Sequence, residues 1–161
     1  MHSTVYEISE RPIPVNQQIT PGYLPDWFFN SICSYATKMS AAERESSIRY
    51  LVKHFGGLCD CNGDQIVFSP LLKQQYFKEK YEAFKAAAQK LAETEYAKFA
   101  GILSAETLRL TINSLMGSYA DQYGVYIYES GKLLPLDDWI RKMETKTSKT
   151  FYVGGTVWYH F

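Results

Sequence analysis

Three histidines and three cysteines are all that 161 residues offer for imidazole or thiol chemistry. Cys33, Cys59 and Cys61 are odd in number and lack the spacing of a disulfide framework, and no positively charged, apolar leader precedes them. The expectation is a cytoplasmic chain with reduced thiols. Cys59 and Cys61 stand closer together than the paired cysteines of a structural zinc site, and no second pair follows. Asp60, Asn62 and Asp64 alternate as the opening ligands of a calcium loop do, but Gln65 and Leu71 stand where that loop needs glycine and glutamate. No bound metal is expected. No apolar run is long enough to span a bilayer. No glycine-rich loop precedes a helix and no dinucleotide fingerprint occurs, so no cofactor is expected either.

An excess of charge of one sign is also missing. Lys plus Arg and Asp plus Glu stand at 17 each, and so balanced a chain has no global field to recruit nucleic acid. Catalytic signatures are equally thin. Cys33 with His54 or His160 is the one nucleophile and base combination available, and nothing around Cys33 frames a nucleophile. Asp137 and Asp138, beside Trp139, fall in the first turn of a short helical stretch, where the helix dipole accounts for them. An enzyme of unknown reaction stays open, and it requires Cys33, His54 or His160 to meet a carboxylate in a pocket.

What the chain has in surplus is aromatic residues, 16% of the total with 13 tyrosines. Six of these rings lie on a long helical stretch from Ser69 to Gly101, about residues 70–100. Ser69 is its N-cap, Pro70 its first residue and Gly101 its stop. Phe77, Tyr81, Phe84, Ala88, Tyr96 and Phe99 recur there at helical spacing on one face. Before it, Pro25 and Asp26 open a helix to about residue 38 with Phe28, Ile32, Tyr35, Ala36 and Met39 inside. Ser40 and Glu43 form a capping box for a second helix, 41–55, which carries Ile48, Leu51, Val52 and Phe55 inward and ends at Gly56 and Gly57. Asn62 and Gly63 mark a hairpin over 58–68. Ser104 begins a further helix with Leu108, Ile112, Leu115 and Met116 inside.

Thr4 to Ile8 alternates as a strand, and the prolines at 12, 14, 21 and 25 make residues 10–24 an extended connection. Tyr123 to Glu129 is strand-like, Ser130 and Gly131 form a turn, and Leu136 to Met143 is a short helix. Residues 150–161 read as two strands around Gly154 and Gly155. The architecture is α+β and a single domain over 1–161. It has an N-terminal helical part, one long central helix and a small antiparallel sheet made mostly by the C-terminal third with the N-terminal strand.

Two binding functions follow. The C-terminal stretch is apolar on both alternating faces, and a sheet backed by helices needs only one. Trp139, Tyr152, Trp158 and Tyr159 are therefore candidates for a surface that binds another protein. The alternative is DNA: two helices and a hairpin over 26–68 match the order of a helix-turn-helix with a wing, exposing Arg44, Arg49 and Lys53. Asp60 and Asp64 on the wing tip work against phosphate contact. In general character only, through neutrality, aromatic content and absent catalytic signatures, the chain resembles accessory and inhibitor proteins of phages and mobile elements.

Overall fold

The computed structural model describes residues 1–102, 105–144 and 146–161. Helices and strands assemble an α+β fold, as expected. By its contacts the chain divides into two compact units, Met1–Gln75 with Gln122–Phe161, and Tyr76–Asp121.

The first unit is built on one sheet of seven strands: β1 (His2–Ser9), β2 (Tyr35–Lys38), β3 (Cys59–Asn62), β4 (Gln65–Phe68), β5 (Tyr126–Glu129), β6 (Lys132–Pro135) and β7 (Lys149–His160). Their order is β3-β4-β7-β1-β5-β6, with β2 also paired to β7. The N-terminal strand does return to the C-terminal one, antiparallel, and it also pairs parallel with β5. The sheet is therefore mixed, and it includes the expected hairpin of β3 and β4. Between those strands Gly63 alone takes a positive φ of 61°, the pattern of a type II′ turn and not the type I′ that Asn62-Gly63 suggests.

Pairing corrects two sequence expectations. The helix opened by Pro25 is only α1 (Asp26–Ser31), because the amides of Ile32 and Cys33 both turn back to the Phe28 carbonyl. Residues 35–38 then lie in register against His160 to Val157 as strand β2. Residues 150–161 form no hairpin: β7 is one continuous strand in which Gly154 and Gly155 together oppose Glu7 at a register shift. Two residues facing one is a β-bulge.

The bulge exists because both glycines accept close neighbours. A Cβ on Gly155 would lie 2.9 Å from the backbone N and O of Ile19, and one on Gly154 would collide with the Glu7 carboxylate and the Ile13 side chain. The buried Glu7 Oε2 accepts from Gly155 N at 2.7 Å and from Ile19 N at 3.0 Å, tying the proline-rich segment to the sheet. From the other side Arg44 donates Nε to the Gly154 carbonyl at 2.6 Å and Nη2 to the Val153 carbonyl, with Nη1 on Asp64 at 2.8 Å.

The two faces of the sheet carry separate cores. Val5, Tyr126, Val157 and Tyr159 pack with Ile19, Leu24, Phe28, Ile32 and Cys33, so residues 10–34 serve as the cover for that face. On the opposite face Tyr6, Ile8, Ile66, Phe68, Ile127 and Val153 are buried. α2 (Ala41–His54) and α6 (Leu136–Lys142) lie there: Tyr6 Oη donates to the Ser47 carbonyl at 2.9 Å, and the rings of Phe55, Phe68, Trp139 and Phe151 meet edge to face. The Ser40 and Glu43 capping box of α2 is present, with Ser40 Oγ accepting from Glu43 N and Glu43 Oε2 accepting from Ser40 N.

The second unit holds the long helix α3 from Tyr76 onward (Leu72–Ala92), α4 (Tyr96–Ala100) and α5 (Ala105–Tyr119). Ser69 Oγ accepts from Leu71 N ahead of α3, as an N-terminal cap should. The expected helix over 70–100 is interrupted at 93–95, where Thr94 turns its hydroxyl onto the Lys90 carbonyl at 3.0 Å and its amide onto Leu91. Gly101 closes α4. The expected start at Ser104 lies outside the described residues. Of the four α5 residues expected inside, Leu108 and Leu115 are half-buried and Ile112 and Met116 are exposed.

Candidate functional site

Beyond the bulge, β7 alternates so that Thr156, Trp158 and His160 face the side on which α2 and α6 pack, and Val157 and Tyr159 face the other. The cover gives out before the end of the strand. His2 of β1 stands directly opposite His160, and Tyr35 and Thr37 of β2 stand opposite His160 and Trp158. Cross-strand neighbours on one face are within ring contact. The outcome is a series of four rings across three strands. His2 stacks on Trp158 with centroids 4.4 Å apart and planes at 20°, His2 meets His160 edge-on at 4.9 Å, and Tyr35 stacks on His160 at 5.4 Å and 12°.

This series is open to solvent. Trp158 is 40% exposed and Tyr35 53%, and His2 and Thr37 are exposed as well. Ser34 Oγ holds His160 Nδ1 at 2.9 Å. Desolvation, followed by the electrostatic influence of the chain's amino group and of the neighbouring His2, lowers the His160 pKa below the usual histidine value. Flat apolar rings edged by a few hydrogen-bonding nitrogens suit a binding surface.

Of the four expected partner-binding residues, Trp158 alone lies in this series. Trp139 is 3% exposed on the sheet side of α6 and donates Nε1 to Glu129 at 3.0 Å. Tyr159 is 1% exposed because strand alternation turns it into the core beneath residues 10–34, where its hydroxyl donates to the Gly124 carbonyl. Tyr152 is half-buried and receives Gln65 Nε2 at 3.2 Å. His2, Tyr35 and His160 were missed as a surface. Trp158 and His160 two apart on a strand, and Tyr35 and Thr37 two apart in a stretch of β-favouring residues, were the signals that could have found them.

The three basic residues of the DNA reading do not form one face: Arg49 and Lys53, four residues apart, share a side of α2, and Arg44 is turned away from them into the sheet. The first helix of the expected helix-turn-helix is cut short to α1, and strand β2 stands between it and α2 where the turn should be. Arg44 is committed to the bulge, Arg49 pairs with Glu45 at 2.6 Å, and about 140° of helical rotation separates the two along α2. Lys53 is exposed at the end of that helix. No catalytic pairing of Cys33 or His160 with a carboxylate occurs among the described residues. Burial raises the Cys33 pKa. Cys59 is pushed up to about 11 by burial, Cys61 and Asp60, and Cys61 is raised by burial and Asp64. These are protonated thiols, poor nucleophiles and poor ligands. Among the described residues no cluster of three His, Cys, Asp or Glu side chains could hold a metal ion, and no helix is long and apolar enough to cross a membrane.

A cleft of about 300 Å³ between the β5–β6 hairpin, α6 and the start of β7 sets Lys132, Lys142 and Lys149 against Glu10, Glu129 and Glu144. Three charges of each sign leave it without a field that would select an ion. No family model, curated protein or solved structure matches the chain.

Proposed function

We propose that the protein works by binding another protein, without catalysis, in the cytoplasm, and that the Trp158, His2, His160 and Tyr35 series is its docking surface. The observation that carries this reading is a series of four rings in contact, two pairs stacked and one edge-on, of which Trp158, Tyr35 and His2 are exposed and His160 is half-buried. Stacking across β1, β7 and β2 fixes the rings before any partner arrives, so little side-chain entropy is lost on binding. Exposed Trp and Tyr on a rigid strand are the residue types that anchor protein interfaces. An accessory or inhibitor protein that acts by occupying a partner needs no more chemistry than this.

Among the described residues Arg44 and Arg49 are engaged away from these rings, with Gly154 and Glu45, whereas a single-strand stacking platform pairs its rings with cations that follow the phosphates. The test is a photo-crosslinking residue in place of Thr37, beside Trp158, in full-length protein incubated with nuclease-treated native lysate. A discrete crosslinked protein, lost when Trp158→Ala is added, is the expected result. Crosslinks to nucleic acid alone, or none at any lysate concentration, would overturn the reading.

A further inference from the structure

The helices between Tyr76 and Asp121 have almost no interior of their own. Ala87 is their only buried apolar residue among those described, while Tyr96, Phe99, Ile102 and Met116 are 83%, 74%, 90% and 65% exposed. Two short helices and part of a third cannot offset the conformational entropy of some forty-five ordered residues with so little burial. Something must cover them in the folded protein.

We propose that the cover is a second copy of this chain, joined through α4 and α5 so that two such helical units form one bundle. The area is right for it. Tyr96, Phe99, Ile102, Met116 and the exposed Ile112, which shares the Met116 side of α5, together offer on the order of 600 Å² of apolar surface. A stable interface takes about 800 Å² from each partner, of which about 65%, or roughly 500 Å², is apolar in homodimers. The charge is right as well. Residues 76–121 hold six basic and six acidic side chains, interleaved along the helices, so a two-fold axis brings no block of like charge onto itself. On α5, Leu108, Ile112, Leu115 and Met116 recur at the steps that put them on one side, and a single helix pair cannot enclose such a stripe whereas two pairs facing each other can. This inference concerns different residues from the ring series and stands independently of it.

All three tryptophans, Trp27, Trp139 and Trp158, belong to the other unit, so the two parts can be followed separately. Full-length protein should sediment as a dimer at tens of micromolar and dissociate on dilution. The 222 nm helical signal should fall in the same concentration range while tryptophan emission stays constant. Phe99→Lys and Met116→Lys, in separate proteins, should each weaken the dimer at least about tenfold, as loss of a central apolar anchor does. A monomer with full helical signal at every concentration would overturn the proposal, and so would two variants that dimerise as tightly as the native chain.

Discussion

Replacing Glu7 tests how the sheet keeps its proline-rich cover. Its Oε2 is the acceptor for two buried backbone amides, Gly155 N at 2.7 Å and Ile19 N at 3.0 Å, and the residue itself is buried. Glu7→Ala removes both charge-assisted bonds and leaves two buried N–H groups to find water. Each such group costs about 1–3 kcal/mol, so the loss should come to about 4 kcal/mol. Glu7→Gln keeps an acceptor oxygen and loses only the charge, for about 1–2 kcal/mol. Native stabilities run to about 5–15 kcal/mol in total, so the alanine variant should be folded and visibly weakened. Urea unfolding followed by tryptophan emission reads the unit that contains the bulge. With a slope of about 2 kcal/mol per molar, Glu7→Ala should lower the midpoint by roughly 2 M and Glu7→Gln by under 1 M. An alanine variant within about 1 kcal/mol of the native protein, or one more stable than the glutamine variant, would show that the carboxylate does not hold residues 10–24 to the sheet.

Three further outcomes are expected. Arg44→Met strips donors from the Gly154 and Val153 carbonyls and should cost about 2–4 kcal/mol in the same unfolding assay, with Arg44→Lys restoring little because an ammonium cannot span that fork. Iodoacetamide should label Cys33, Cys59 and Cys61 slowly at pH 7 and faster as pH climbs, and a thiol modified rapidly at pH 7 would contradict the burial that raises all three. His160 should titrate below its usual 6.5 in an NMR pH series. In the window between its folded value and 6.5 the unfolded chain holds more protons, so stability should rise with pH through that window and level off above it, a slope that His160→Gln should flatten.

Local signals were legible in the sequence and distant pairings were not. The Ser40 and Glu43 capping box, the α2 stop at Gly56 and Gly57, the Cys59 to Phe68 hairpin and the β1 strand are decided within a few residues, and all of them stand. Gly154-Gly155 looks locally like a turn, since glycine pairs mark turns, but the group that makes it a bulge is Glu7, 148 residues from Gly155. Tyr35 and Ala36 continue the helical spacing of Phe28 and Ile32, and only the hydrogen-bonding edge of β7, which supplies partners for β2, turns them into strand. The same distance hid the ring series. His2 reads as a loose terminus until its register against His160 is known, and Tyr159 reads as a surface anchor until the phase of β7 past the bulge is fixed. Aromatic excess was visible, but which rings face solvent depended on a one-residue shift in register.

The most direct measurement compares Trp158→Ala with Trp139→Ala for folding and for capture of a partner from nuclease-treated lysate. Trp158, on the open end of the sheet, should be replaced with under about 1 kcal/mol of stability lost and with partner capture abolished, whereas the enclosed Trp139 should cost about 3–5 kcal/mol. Undiminished capture by a folded Trp158→Ala protein would contradict the assignment of that surface.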